Sequence, residues 1–154
     1  MLTSTVEKRL EAIIGKYPDP RAAVLPCLHA MQEKNGFITD EAIKAIAQLL
    51  DISYAEVYGT ATFYALLRRR PAGRHVISIC HNLPCSLLGA EPLIEHLKQK
   101  LGVEEGQVTM DGKFSFQRIE CIGRCDGAPA MLVDNDYHGE LTRDRIDEIL
   151  DKYA

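Results

Sequence analysis

Four cysteines stand in two close pairs, and each pair follows a strand-like run. Cys80 and Cys85 have four residues between them and come after Val76-Ile77-Ser78-Ile79. Cys121 and Cys125 have three between them and come after Phe114-Ser115-Phe116-Gln117-Arg118-Ile119. Thirty-five residues separate the pairs. A fold that uses all four must bring two distant strand ends to one place. Loops at strand ends are where a rigid sheet aims side chains at a common point.

The bulk properties narrow the setting. A chain of 154 residues suits one domain or two small ones. The net charge of -4 makes no electrostatic case for nucleic acid as a partner. No apolar run approaches the roughly 20 residues of a membrane span, so no direct membrane insertion is expected. Met1 to Glu11 carries charges and no signal-peptide core. The expected location is the cytoplasm, where paired cysteines point to metal or catalysis rather than to disulfides.

Residues 1–70 read as a helical N-terminal domain. Val6, Leu10, Ile13 and Ile14 share one helical face, stopped by Gly15 and Pro18. Asp19-Pro20 is an N-cap followed by proline at the first helical position. Val24, Cys27, Leu28 and Met31 continue at helical spacing to Asn35-Gly36, with Pro26 predicting a kink or a late start. Thr39 caps a third helix with a stripe of Ile43, Ile46, Ala47 and Leu50. Ser53 and Glu56 form a capping box for a fourth, which turns Val57, Ala61 and Tyr64 inward.

The run Arg68-Arg69-Arg70-Pro71-Ala72-Gly73 marks a linker. Residues 71–154 then read as a small α/β domain. Val76–Cys80, Val108–Met110, Phe114–Ile119 and Ala130–Val133 are predicted strands, and Asn135-Asp136 a turn. Pro92–Leu101 and a last helix capped by Thr142, with Ile146, Ile149, Leu150 and Tyr153 on one face, are the predicted helices.

Cys27 lies on an apolar helical stripe and reads as a small core residue. The other four sit beside Gly, Pro, Asn and Asp. Their spacing leaves three readings open: a two-iron cluster, a four-cysteine zinc site in an adaptor protein, and a dithiol redox centre. Neither pair has the C-x-x-C spacing that zinc ribbons and dithiol centres favour. The neighbours suit a cluster, which is anionic with four thiolates and needs N–H donors and dryness. Gly123 and Gly127 can turn N–H groups toward sulfur. Ser86 is expected to open a helix with Cys85 at its positive end. Leu83, Pro84, Ile122 and Pro129 are expected to shield the metal. His81 is read as a loop residue rather than a ligand.

Several segments together carry a family resemblance. They are Tyr17-Pro18-Asp19-Pro20-Arg21, Gln32 to Ile38, Tyr58-Gly59-Thr60-Ala61-Thr62-Phe63-Tyr64, Gly73 to Ile77, Cys80 to Cys85, and Glu120-Cys121-Ile122-Gly123-Arg124-Cys125 with Gly127-Ala128-Pro129. In these the chain resembles the 24-kDa-type (E-type) [2Fe-2S] proteins of the NADH-oxidising module of respiratory complex I. The small subunits of NAD-linked hydrogenases and formate dehydrogenases are similar. The resemblance implies an α/β fold with an N-terminal helical bundle followed by a thioredoxin-like ferredoxin domain. It implies that Cys80, Cys85, Cys121 and Cys125 are the four ligands of one [2Fe-2S] cluster, and that Cys27 is not a ligand.

The function so implied is one-electron transfer as a non-catalytic subunit of an NADH dehydrogenase-type oxidoreductase. The chain has no G-x-G-x-x-G after a strand. FMN and NAD are therefore expected to bind elsewhere, and the resemblance implies a flavin- and NADH-binding large subunit that holds them, with further iron-sulfur subunits in the complex. The complex would place the chain at the cytoplasmic face of the membrane. The same subunit in an NAD-dependent or electron-bifurcating hydrogenase or a formate dehydrogenase is the alternative. Tyr58, Phe63, Tyr64, Leu66 and Leu67 either dock on the flavin subunit or pack internally. Arg68, Arg69, Arg70 and Arg74 either meet acidic groups there or form a solvated run.

Overall fold

The computed structural model describes residues 4–153. The chain divides between Pro71 and Ala72 into two compact units.

The first unit is four helices: α1 (Ser4–Ile14), α2 (Val24–Asn35), α3 (Asp40–Leu50) and α4 (Tyr54–Phe63). Local caps set their starts. The Asp19 carboxylate accepts from the Arg21 N–H at 2.9 Å and opens a 3-10 turn, Pro20–Ala23. The α-helix begins only after it, so Pro26 falls in the first turn, where its missing N–H has no partner to lose. Thr39 Oγ1 accepts from Ala42 N–H at 3.1 Å. Ser53 and Glu56 bond reciprocally, at 3.3 Å and 3.1 Å. The apolar stripes meet in one core that includes Leu10, Cys27, Leu28, Ile43, Ile46 and Val57.

Two expectations change here. Tyr64 is not inward: α4 ends at Phe63, and Tyr64 takes an extended backbone and is 44% exposed. Three of the four residues of the last turn, Thr60, Thr62 and Phe63, are weak helix formers. The arginine run is sewn into this unit. Arg69 donates to the Ile38 carbonyl at 2.6 Å, pairs with Asp40 and lies 5.4 Å from the Tyr58 ring centroid. Leu67 is buried, whereas Phe63 and Leu66 are exposed.

The second unit is a four-stranded mixed sheet with helices. Its elements are β1 (His75–Cys80), α5 (Leu83–Leu87), α6 (Ala90–Leu101), β2 (Phe114–Ile119), β3 (Met131–Val133), β4 (Asp136–His138) and α7 (Arg143–Lys152). The strand order is β2-β1-β3-β4. β1 and β2 are parallel, in register from His75↔Phe114 to Cys80↔Ile119, and α6 lies on the crossover between them. β3 and β4 add an antiparallel hairpin on the other side of β1. Central β1 is buried along nearly its whole length, which explains why Val76, Ile77, Ile79 and Cys80 are all apolar with only Ser78 between them. Leu93, Ile94 and Leu97 of α6 and Ile146, Ile149 and Leu150 of α7 pack with Ile77, Ile79, Phe116 and Met131 of the sheet.

Val108–Met110 is not a strand. Val108 makes one isolated bridge to Ser115, and the chain then turns. Asp111 accepts from the Thr109 hydroxyl at 2.6 Å and the Lys113 N–H at 3.0 Å, with Gly112 at φ 72°. The hairpin turn falls on Asp134-Asn135, one residue earlier than expected, with Asp134 at φ 55°. Gly73 is obligatory, because a Cβ there would stand 2.4 Å from the Phe114 carbonyl carbon.

Candidate metal centre

Parallel pairing explains why the cysteine pairs meet. β1 and β2 run the same way and end together, so both following loops leave one edge of the sheet, at the carboxyl ends of the strands. Cys80 is the last residue of β1, and Cys121 stands two residues past the end of β2. Cys85 lies inside α5, whose start is capped by Asn82 accepting from Leu83 N–H at 2.7 Å. Cys125 opens a 3-10 turn, Cys125–Gly127. Beyond it Glu140 N–H donates to the Gly127 carbonyl at 2.7 Å, which ties the loop to the chain after β4.

All four cysteines line one small, narrow cavity, together with Asn82, Pro84, Ile122, Gly123, Arg124 and Ala130. Cys80 and Cys85 are buried, at 4% and 3% exposure, and Cys121 and Cys125 are exposed. No cysteine is in a disulfide. The Cys80 thiol donates to the Glu120 carbonyl at 3.7 Å, and Gly123 N–H donates to Cys121 Sγ at 3.2 Å. Burial, then the bond with the Cys80 thiol, pushes the Cys85 thiol up to about 11, against the opposing pull of the Ala130 backbone N–H. Thiols this close do not ionise together without a cation among them. A coordinated metal deprotonates its thiols outright, so loading this site releases protons.

The donor set fits a metal–sulfur group: four free thiols, N–H donors on the sulfurs, and apolar walls from Pro84, Ile122 and Ala130. Among the described residues no three His, Cys, Asp or Glu side chains are grouped as one metal ion needs. Four thiolates are also the donor set of one tetrahedral zinc, with sulfurs at about 2.3 Å. A two-iron core takes four thiolates without gathering them at one point.

A scan against family models matches residues 10–154 to the thioredoxin-like [2Fe-2S] ferredoxins. The chain belongs to that family. Among its relatives, the E subunit of NADH-quinone oxidoreductase from Salmonella typhimurium (strain LT2) is 41% identical over 152 residues, which is 99% of this chain and 92% of the relative. The E 2 subunit of NADH-quinone oxidoreductase from Rhizobium meliloti (strain 1021) is 38% identical over 149 residues, 97% and 89% of the two chains. A crystal structure of an NAD+-reducing [NiFe]-hydrogenase superposes with a TM-score of 0.70 at 25% identity. That likeness covers 84% of this chain but only 22% of the hydrogenase chain. The resemblance drawn from the motifs is borne out, and with it the thioredoxin-like ferredoxin fold behind N-terminal helices.

Some details around the four cysteines depart from the sequence reading. Ser86 lies within α5 and does not open it; Asn82 does. Asn82 was detectable, since Asn ahead of an early proline is a helix-start signal. Leu83 is 66% exposed and walls nothing off, while Pro129 is buried and Ile122 packs beside Cys80 and Cys85. Gly127 N–H bonds the Arg124 carbonyl rather than a sulfur. His81 faces Glu120 at 3.7 Å and does not line the cavity. Cys27 is buried in the helical core of the first unit. Arg124 lines the cavity, and no local signal marks it.

Proposed function

We propose that Cys80, Cys85, Cys121 and Cys125 hold one [2Fe-2S] cluster and that the chain passes single electrons in an NADH-oxidising complex, in the role of the E subunit of NADH-quinone oxidoreductase. The observation that carries this is the convergence of two in-register parallel strand ends, which seats four free thiols in one cavity. Residues 1–70 form the helical domain and residues 71–154 the ferredoxin domain.

A cluster bound there supplies reversible one-electron chemistry. The protein's part is to hold, orient and dry the site. β1 and β2 set the spacing of the loops. Ile122, Pro84 and Ala130 limit water, and the Gly123 N–H offsets negative charge on Cys121. No acid, base or nucleophile is required, so the chain carries electrons within an oxidoreductase and catalyses nothing alone. FMN and NADH bind a large partner subunit, which trades electrons with this one, and further iron-sulfur subunits complete the complex. No described helix is long and apolar enough to cross a membrane, so any place at the cytoplasmic face comes through the partners.

Relatives at 37–41% identity over nearly the whole chain are named as E subunits of NADH-quinone oxidoreductase, which favours that complex. The hydrogenase likeness keeps a hydrogenase setting as the second reading. Anaerobic purification with iron and sulfide counts and EPR after reduction tests the cluster. Two irons, two sulfides and a rhombic signal are expected. Colourless protein with stoichiometric zinc would replace this reading with a zinc adaptor. Co-purified partners decide the complex.

A further inference from the structure

We propose that Arg124 sets the reduction potential of the centre held by the four cysteines, and that Asp126 and the Tyr137 ring fix where its charge stands. The inference rests on the electron-transfer reading above. Arg124 precedes Cys125 directly and lines the cysteine cavity. Asp126 accepts from its Nε at 3.2 Å and from Nη2 at 3.4 Å. Tyr137, on β4, presents its ring face with the centroid 4.4 Å from the guanidinium carbon. This cation is therefore gripped on two sides.

The ring is a fixed platform. The Tyr137 hydroxyl is buried and has no hydrogen-bond partner among the described residues. A Cβ at either Gly127 or Gly139 would come within 2.2 Å of its oxygen. Two glycines thus form a slot for the phenol, and packing rather than bonding keeps it there.

Reduction adds a negative charge to the centre. A cation beside it favours the reduced form and raises the potential; an anion does the reverse. Arg124 lines the cavity and Asp126 does not, so the cation is the nearer of the pair. Glu120 is the other charge on this loop; it is 83% exposed at its side chain and turned toward His81. Arg124 is half exposed, so screening keeps the effect moderate.

The test is a potentiometric titration read by EPR on the full chain, purified anaerobically. Arg124→Gln lowers the potential and Asp126→Asn raises it, each changing the oxidised-to-reduced ratio at the parent midpoint by about threefold to tenfold; tenfold is about 59 mV for one electron. Arg124→Lys falls between the parent and Arg124→Gln. Tyr137→Phe, which keeps the ring, stays near the parent, and Tyr137→Leu moves toward Arg124→Gln. A purely structural role cannot produce opposite signs from the two members of one ion pair. Shifts of the same sign, or none, in loaded Arg124→Gln and Asp126→Asn overturn the inference. If Arg124→Gln fails to load, an unchanged potential in Asp126→Asn and Arg124→Lys overturns it alone. A parent chain without iron overturns the electron-transfer reading and this inference with it.

Discussion

The thiol of Cys80 donates to the backbone carbonyl of Glu120, 40 residues along the chain and next to Cys121. The two cysteine loops therefore touch through the protein itself. The sheet beneath them has its own core, with Ile77, Ile79, Phe116 and Met131 at or near zero exposure. Removing the metal is expected to leave that sheet standing. Far-UV circular dichroism of chelated protein should match the loaded form, while its thermal midpoint falls. A chain that loses its secondary structure on chelation, as zinc fingers do, would show instead that the metal builds the fold.

The five cysteines should sort by place. Cys85→Ala and Cys121→Ala each remove one of four sulfurs from the cavity, and iron per chain should drop to a small fraction of the parent. Cys27→Ala should keep full iron, because Cys27 packs among Leu28, Ile43 and Val57 in the first unit. Its cost is a small void, about 1 kcal/mol in urea unfolding. Iron analysis of the three purified variants distinguishes the classes directly.

How far the chain could be read without its structure depended on range. Ser53 with Glu56, and Thr39 with Ala42, act over three residues, so sequence alone revealed them. The cysteine spacing signalled one site, because strand-like runs preceded both pairs. Val108–Met110 misled, since its period fits a strand while Asp111 and Gly112 impose a turn two residues on. Tyr64 misled because apolar periodicity does not report where a helix ends. The contact of Arg124 with Tyr137 was beyond reach. It needs the β3–β4 hairpin to fold back over the second cysteine loop, and neither residue carries a local mark of that.

Alkaline pH should expose one side-chain bond. The Tyr153 hydroxyl donates to Asp136 Oδ2 at 2.7 Å. That bond, then burial, pushes the Tyr153 phenol up to about 12, because a phenolate there would face a carboxylate. An acid whose folded value is raised contributes fully below its ordinary value of about 10. The contribution is lost as pH climbs from about 10 through about 12. Burial pushes Cys27 up to about 11, in the same window, so the comparison is best made in a Cys27→Ala background. There Tyr153→Phe should flatten the fall in urea midpoint between pH 9 and pH 11.5. An equally steep fall would remove Tyr153 from the account.

The two glycines around Tyr137 should respond differently to alanine. At Gly127 a new Cβ meets the Tyr137 hydroxyl oxygen at 2.2 Å, but the next atom, the ring carbon bearing it, lies at 3.5 Å. At Gly139 the Cβ meets that oxygen at 2.2 Å, the Gly127 carbonyl oxygen at 2.7 Å and the same ring carbon at 2.9 Å. Gly127→Ala is therefore expected to cost about 1–3 kcal/mol, as overpacking does. Most of that should return in the double variant with Tyr137→Phe, which deletes the one clashing atom. Gly139→Ala should cost at least as much and regain little from Tyr137→Phe, because backbone still blocks it. Urea unfolding of the three single variants, the two doubles and the parent gives the coupling energies. Equal rescue of both glycine variants would mean that the slot is soft, and that the ring under Arg124 is free to move.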